Sequence, residues 1–307
     1  MLLTGVRVLD LSRLLPGGFC TRVLADAGAE VLKVEPPGGD PLRQMPGGEA
    51  FFEALHHGKR LITLDWMSQA GRERLWEEVR KAEVLVEGFR PGVMERAGLG
   101  YSALAAGNPL LIYCAITGYG STGPLAARAG HDLNYLARSG GLSVMPRSAD
   151  GTPMIPGIQV ADHAGGLHAA FLIAAALHAR GQTGQGSRLE VSMTDVVRGW
   201  TDLPRAAARA RIAGPPLTGT APCYHVYPVS DGFLSVAAIE PKFWRSFCHA
   251  IGRDDLAARQ FDPLAIPEVE GLLAGRTRAA WMAAFEGRDV CVEPCIELEE
   301  DLGEDLT

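Results

Sequence analysis

The sequence predicts an α/β protein in which helices cover both faces of a parallel sheet, followed by a smaller α+β unit. Short apolar runs alternate with helical stretches in the first part of the chain, and this alternation is typical of a parallel sheet. The runs that predict strands are residues 6–11, 31–34, 62–64, 84–87 and 110–115. Ligands of such sheets bind at the carboxyl ends of the strands, so the loops after these runs are candidate sites.

The helical stretches follow from composition and from the residues at their ends. Between the strands, helices are predicted at 20–27 and 71–81. A longer helix is predicted over 164–179, because this stretch is rich in Ala and Leu, follows Asp162 as an N-cap and ends before Gly181. The stretch 205–216 is rich in Ala, Arg, Gly and Pro with little apolar periodicity, which predicts a connector.

A second unit begins near Tyr224. Its predicted elements are a strand over 232–239 and helices over 242–251 and 277–285. The acidic stretch 297–305 predicts a solvated tail. We therefore expect a large domain over 1–195, a linker over 196–222 and a small domain over 223–307.

Composition narrows the class of protein. The chain has 307 residues, 47% of them hydrophobic and 21% charged, which is ordinary for a globular enzyme with two compact units. A net charge of -7 provides no basic field for nucleic acid or an anionic membrane, so a phosphate site has to be local. The six cysteines show no metal-binding spacing, and no secretory signal or membrane-spanning run is found. We expect a cytoplasmic protein without a metal site.

The segment 130–135 groups polar side chains between a Gly- and Pro-rich loop and an apolar, helix-like run. It consists of Gly130, His131, Asp132, Leu133, Asn134 and Tyr135. A lone histidine is more often structural, but polar groups placed this closely need partners or a function. His131 is therefore a candidate acid or base, and a structural role stays open.

Two acids stand where an apolar element begins or ends. Asp162 opens the long helix, and an N-cap is the simpler explanation; free N–H groups beside it would also favour negative charge on a neighbouring oxygen. Glu240 ends an apolar strand before Pro241, where it either begins a helix or takes part in chemistry. Spacing alone leaves both alternatives open.

Basic residues beside strands are candidates for binding an anionic carrier. Lys59 and Arg60 stand in one loop and Arg90 in another, and an arginine fork suits phosphate oxygens. Solvated surface charge is the simpler explanation. Neither a P-loop nor a strand-linked dinucleotide fingerprint is present, so nucleotide hydrolysis and nicotinamide binding lack their usual motifs.

Several longer segments are shared with a known family. They are GVRVLDLSRLLPG, LADAGAEVLKVE, GKRLITLD, VLVEGFRPGV, ITGYGSTGP and GQGSRLEVSMTD. With these segments, nearly the whole chain resembles the family III CoA-transferase superfamily. Within it, GHDLNY at 130–135 and IEP at 239–241 resemble the α-methylacyl-CoA racemases.

The resemblance implies a fold and an activity. The fold is an interlocked homodimer, with a large Rossmann-like domain, a smaller domain and active sites where two subunits meet. The activity is two-base proton transfer at the α-carbon of an acyl-CoA, with His131 and Asp162 on opposite faces and Glu240 holding the tautomer of His131. CoA is then part of the substrate, and no separate cofactor is expected.

The same resemblance implies the binding residues. Lys59, Arg60 and Arg90 are assigned to the phosphates of CoA. The loop with Gly130, Asp132, Leu133, Asn134 and Tyr135 is assigned to the thioester.

Some positions depart from the racemase pattern. Glu35-Pro36 stands where an arginine often precedes the proline, and Ile158 stands where an asparagine is often found. The family usually returns to the large domain after the small one, and this chain has little or nothing of that return before Thr307. Two alternatives therefore stay open: a CoA transferase with Asp162 as the nucleophile, and a non-catalytic acyl-CoA binding protein.

Overall fold

The computed structural model describes residues 1–211 and 217–301. It contains two compact units, Met1–Asp202 and Leu203–Thr307. The first unit is built around a parallel sheet, and the second combines a small antiparallel sheet with helices. The predicted α/β class is therefore confirmed, while the predicted limits of the domains and of the linker over 196–222 stay predictions.

Six parallel strands form the sheet of the first unit. They are β1 (Arg7–Asp10), β2 (Glu30–Glu35), β3 (Arg60–Thr63), β4 (Val84–Glu87), β5 (Ile112–Thr117) and β6 (Ser187–Ser192). Their order is β3-β2-β1-β4-β5-β6. The edge strand β6 was not among the predicted strands, because its sequence SRLEVS contains no apolar run.

Helices cover both faces of this sheet. They are α1 (Leu14–Asp26), α2 (Gly48–His56), α3 (Gln69–Val79), α4 (Val93–Arg96), α5 (Tyr101–Gly107), α6 (Asp132–Ser139), α7 (Val160–Thr183) and α8 (Met193–Trp200). Val84 and Val86 of β4 pack with α1 and α7 in one core, whereas Leu85 packs with α3, α4 and α5 in the other. Successive side chains of a strand point to opposite faces, so one apolar run serves both cores.

The helix α7 is the central helix of the first core. By length and composition alone it is apolar enough to cross a membrane. Ala169 and Ile173 on one side are buried in the core of the unit, whereas Leu167 and Phe171 on another side are exposed. The close packing of α7 against α1 depends on Gly166, where a Cβ would lie 2.5 Å from the carbonyl oxygen of Pro16.

The second unit has its own core. Its strands are β7 (Tyr224–Val229), β8 (Gly232–Ala237) and β9 (Val292–Pro294), which pair antiparallel in that order. Its helices include α10 (Pro241–Ala250), α11 (Ile266–Leu273), α12 (Arg278–Phe285) and α13 (Leu298–Asp301). Trp244, Phe247 and Trp281 are buried between them. This separate core allows the second unit to be compact by itself.

One predicted connector differs in the structure. The helix α9 (Asp202–Ala210) covers the first part of the stretch 205–216, so the prediction of a connector was wrong for those residues. Ala and Arg are strong helix formers, and Ala207 is buried, which outweighs the weak apolar periodicity. Residues 212–216 of this stretch and residues 302–305 of the predicted acidic tail lie outside the described residues.

A cluster of buried charges lies at the carboxyl end of β1. The carboxylate of Asp10 accepts hydrogen bonds from Ser12 and Thr21 and lies 3.9 Å from the ammonium of Lys33 and 3.6 Å from that of Lys59. Burial alone would raise the pKa of Asp10, but the two ammonium groups and the hydrogen bonds hold it below its ordinary value. The cluster connects β1, β2, α1 and the start of β3.

Removing the shared carboxylate is expected to destabilise the protein strongly. Asp10→Ala leaves two buried ammonium groups without their common partner, so we expect the free energy of unfolding to fall by about 3–5 kcal/mol. Urea denaturation followed by circular dichroism measures the change. The control is Glu77→Ala, which breaks an exposed pair with Arg74 and is expected to cost less than about 1 kcal/mol. Equal losses in the two variants would contradict this account of the cluster.

Candidate active site

A cavity of about 360 Å³ opens at the carboxyl ends of β1, β4 and β5 in the first unit. The order of the strands reverses between β1 and β4, and open α/β sheets bind ligands at such a reversal. The lining side chains that carry charge or hydrogen-bonding groups are Arg13, Arg90, Thr117, Tyr119, Arg128, His131, Tyr135 and Asp162. Two of the three predicted catalytic residues, His131 and Asp162, therefore line one cavity.

His131 stands at the residue before α6. Its side chain is exposed to the cavity, and its backbone N–H donates to the side-chain oxygen of Asn134 at 3.0 Å. Asn134, which was predicted to bind the thioester, thus satisfies an N–H at the start of α6. This bond fixes the backbone from which the imidazole of His131 extends.

The start of α7 is capped by a residue from another helix. The predicted N-cap role of Asp162 was wrong, because α7 begins at Val160 and Asp162 lies in its first turn. One carboxylate oxygen of Asp132 accepts from the backbone N–H of Ala161 at 2.6 Å and of Asp162 at 3.0 Å. The sequence led us to expect that these N–H groups are free to stabilise an enolate. In the structure they are bound to Asp132 and are not free. The carboxylate of Asp162 takes no part in this cap, and Asp162 lines the cavity.

The environment of Asp162 shifts its acidity. Burial, together with the negative charge of Asp132, raises the pKa of the Asp162 carboxyl to about 7. The side chain is partly buried and lines the cavity. At neutral pH this group is present in both its acid and its base form, which suits it to exchange a proton in either direction.

Tyr135 supports the loop that carries His131. Its hydroxyl donates to the carbonyl of Gly130, and its ring packs edge-on against Tyr119 at 5.0 Å between centroids. A Cβ at Gly118 would lie 2.1 Å from the ring of Tyr135, so only glycine fits there. The predicted thioester residues Gly130 and Tyr135 thus form a packed support for the loop as well as part of the lining.

The turn between β1 and α1 forms another wall of the cavity. Leu14, where this turn enters α1, has a φ of +60°, which is rare for a residue other than glycine and costs conformational energy. The turn is held because the N–H of Leu14 donates to Asp40 at 3.3 Å and the ammonium of Lys33 donates to the carbonyl of Ser12. Lys33 also pairs with Asp40 at 3.1 Å. The buried charges therefore shape the cavity.

Three arginines surround the cavity. Arg13 stacks over the ring of Phe89 at 4.7 Å, and Arg90 and Arg128 stand on two other loops. Within residues 1–211 and 217–301, no carboxylate oxygen lies within 4.0 Å of any of these three guanidinium groups. Asp162 is the one acid among the described lining residues. The cavity is therefore suited to an anionic ligand.

The three residues predicted to bind phosphate lie in different environments. Arg90 lines the cavity, and Arg60 is exposed at the start of the edge strand β3. Lys59 is buried, and its ammonium donates to the carbonyl of Gly18 and the hydroxyl of Thr21, both at 2.8 Å. Burial lowers the pKa of Lys59 to about 8, with Lys33 also lowering it while Asp10 opposes the shift. The assignment of Lys59 to a CoA phosphate therefore does not fit its position.

The remaining predicted site residues lie on α6 and before α10. Leu133 is partly exposed on α6, and Asp132 acts on the start of α7 as described. Glu240 is exposed and precedes α10 in the second unit, so its predicted pairing with His131 stays a prediction. Among the described residues, no three His, Cys, Asp or Glu side chains are grouped to hold a metal ion.

Sequence reasoning did not identify Arg13, Arg128 or Tyr119 as site residues. The signal for Arg13 was its place directly after the first strand, in the loop where such sheets bind ligands. Arg128 lies three residues before His131 in the same loop, and Tyr119 follows β5. Arg13 and Tyr119 follow strands and Arg128 lies close to a candidate base, and these positions could have indicated all three as site residues.

Known proteins resemble this chain in sequence and in fold. The family model described as CoA-transferase family III matches residues 3–305. Alpha-methylacyl-CoA racemase from Homo sapiens is 36% identical over 312 residues, covering 98% of this chain and 79% of that protein. A succinate–glutarate CoA-transferase from Agrobacterium fabrum is 36% identical over 268 residues, covering 81% and 66%. The crystal structure of a CaiB/BaiF family protein from Brucella suis has a TM-score of 0.84 at 28% identity, covering 98% and 86%.

The raised pKa of Asp162 predicts a pH-dependent stability. A folded-state pKa of about 7 lies above the ordinary 3.8, so the stabilising contribution is full at low pH and is lost as pH rises through 7. The Asp162→Asn variant has no carboxyl group at this position, so it does not lose stability in this way as pH rises. We expect the variant to gain on the order of 2–4 kcal/mol of unfolding free energy over the wild type between pH 4 and pH 8.

Denaturant unfolding at several pH values measures this gain. The control is the exposed Asp150, because a hydrogen bond from Ser148 and another from Thr152 lower its pKa to about 2. That shift has the opposite sign, so Asp150→Asn is not expected to gain stability as pH rises. A pH-independent difference between Asp162→Asn and the wild type would show that Asp162 has no raised pKa.

Proposed function

The chain belongs to CoA-transferase family III, as its sequence predicted, and on that premise we propose that it is a racemase of 2-methylacyl-CoA thioesters. It would interconvert the (R) and (S) forms by moving a proton on and off the α-carbon. The observation that carries the proposal is that His131 and Asp162 line one small cavity at the carboxyl end of the sheet. Two-base racemisation requires two groups that can each give and accept a proton.

The reaction proceeds through an enolate. One of the two side chains removes the α-proton while the other delivers a proton to the opposite face, which inverts the centre. The α-proton of a thioester is weakly acidic, so charge that develops on the thioester oxygen has to be stabilised. The N–H groups at the start of α7 are bound by Asp132, so the guanidinium groups around the cavity supply the field of the required sign.

The pKa of Asp162 suits the proton transfer that a racemase requires. A carboxyl group with a pKa of about 7 is close to the optimum for a general acid or base at neutral pH. Burial and the charge of Asp132 keep part of this carboxyl group protonated at neutral pH. Asp162 can therefore also deliver a proton, a step that the racemase requires and nucleophilic attack does not.

A CoA transferase is the second candidate function. The 36% identity to a succinate–glutarate CoA-transferase favours it, and that figure equals the identity to the human racemase. In this alternative, Asp162 attacks the thioester carbonyl and His131 only positions the substrate. The two functions differ in the bond that is broken, which is C–H for the racemase and C–S for the transferase.

CoA belongs to the substrate in both alternatives. Arg90, the predicted phosphate ligand that lines the cavity, is the residue we assign to the CoA diphosphate, and Arg13 is a second cation at the edge of the cavity. Glu240 is proposed to hold the tautomer of His131, as the resemblance implies. No further cofactor takes part in the proposed reaction.

The proposed active form is a homodimer. Leu167 and Phe171 are four residues apart on α7 and therefore lie on one face, with 51% and 66% of their surfaces exposed. Exposed apolar residues grouped on one helix face are typical of association surfaces. We assign this face of α7 to the contact between two copies of the chain.

Exchange of the α-proton tests the proposed reaction. In deuterium oxide, the wild type is expected to wash deuterium into both (R)- and (S)-2-methyldecanoyl-CoA, followed by proton NMR. His131→Ala and Asp162→Asn are each expected to exchange at least about 100-fold more slowly, because each removes one of the two proton carriers. Glu240→Gln is expected to lower kcat with little change in KM.

The control is Arg138→Ala, which changes an exposed residue of α6 away from the cavity and is expected to leave the rate unchanged. Labelled CoA with an added carboxylate acceptor distinguishes the second candidate. Transfer of CoA without any α-proton exchange in the wild type would replace the racemase by the transferase.

Analytical ultracentrifugation tests the association. We expect a dimer for the wild type and a monomer for Phe171→Glu, because a buried carboxylate without a partner is costly in an apolar contact. The control is Phe261→Glu in the second unit, where an exposed phenylalanine is changed in the same way. A monomeric wild type at micromolar concentration would refute the proposed contact.

A further inference from the structure

We propose that Arg128 binds a carboxylate on the acyl group of the substrate, so that the preferred thioesters carry an anionic acyl chain. This inference rests on the proposed function, because it concerns the substrate class of the same cavity. It names Arg128 as a residue that determines specificity, outside the predicted catalytic and CoA-binding sets.

The charge around the cavity exceeds what the proposed chemistry uses. Arg13, Arg90 and Arg128 each line it, and none has a carboxylate partner within 4.0 Å among the described residues. The acid that faces them, Asp162, is only partly ionised at neutral pH, because burial and Asp132 raise its pKa to about 7, so it offsets less than one of the three positive charges. Guanidinium groups around a cavity are suited to anionic oxygens from the ligand.

The positions of the arginines distinguish their roles. Arg13 also lines a neighbouring groove of about 170 Å³ with Trp66 and Met67, and Arg90 also lines one of about 290 Å³ with Arg188. These two cations therefore lie at borders of the cavity, where a long ligand leaves it. Arg128 instead stands on the loop of His131, three residues before that base.

The length of CoA separates its phosphates from Arg128. When the α-carbon lies between His131 and Asp162, the long pantetheine arm carries the diphosphate out of a cavity of about 360 Å³. A cation beside His131 is then close to the acyl group rather than to the phosphates. A carboxylate a few bonds beyond the α-carbon can meet the planar fork of Arg128 in a bidentate contact.

A matched pair of substrates tests the inference. The anionic probe is 2-methylglutaryl-CoA with its thioester beside the branched carbon, and the neutral probe of the same shape is 2,5-dimethylhexanoyl-CoA. We expect the wild type to exchange the α-proton of the anionic probe with a kcat/KM at least about tenfold higher, as one charge-assisted contact permits. Arg128→Met is expected to lower kcat/KM for the anionic probe by about 10–100-fold and to change the neutral probe by less than about twofold.

Two controls distinguish a contact of Arg128 with the acyl carboxylate from a contact with CoA. Arg138→Met, on the exposed side of α6, is expected to leave both probes unchanged. Calorimetric titration with free CoA is expected to give the same affinity for the wild type and Arg128→Met. An equal loss for both probes, or a loss of affinity for free CoA, would assign Arg128 to CoA and overturn the inference.

Binding of the two probes, measured by calorimetry, keeps the inference separate from the proposed reaction. If neither probe exchanges its α-proton but the anionic one binds more tightly and loses that advantage in Arg128→Met, the racemase proposal fails and the inference on Arg128 stands. If both probes exchange and bind equally in the wild type, the racemase proposal stands and the inference fails.

Discussion

The geometry of the candidate site depends on one carboxylate, that of Asp132. Asp132 belongs to the first turn of α6, and its carboxylate accepts hydrogen bonds from two backbone N–H groups at the start of α7. It therefore joins the first turns of the two helices. The residue before it is His131, and one of the residues it caps is Asp162. The same contact brings the two candidate proton carriers to one cavity and places a negative charge near Asp162, which helps to raise its pKa.

The buried charges behind this cavity have a related role. Lys33 is fully buried, and its ammonium binds Asp40 and the carbonyl of Ser12, next to the strained turn at Leu14. Buried ion pairs often contribute little net stability, because desolvation offsets their attraction. Here they fix a backbone conformation that would otherwise relax, and that backbone forms a wall of the cavity.

The cavity therefore combines features that oppose stability. Asp162 is held where its ionised form is unfavourable, Leu14 has a rare backbone conformation, and three guanidinium groups stand without carboxylate partners among the described residues. Such features concentrate at functional sites, where a ligand supplies the missing interactions. An anionic thioester would satisfy the arginines and exclude water from the two proton carriers.

The α/β class, five of the six strands of the sheet and the family were predictable from the sequence, because apolar runs and extended motifs are local properties of the chain. The sequence also indicated His131 and Asp162 as candidates. The contacts of the folded chain were needed to show that Asp132 rather than Asp162 caps α7, that Lys59 is buried, and that Arg13 and Arg128 line the cavity with the candidate bases. These facts depend on contacts between residues far apart in the chain, such as the 30 positions between Asp132 and Asp162, and no local pattern encodes such a distance.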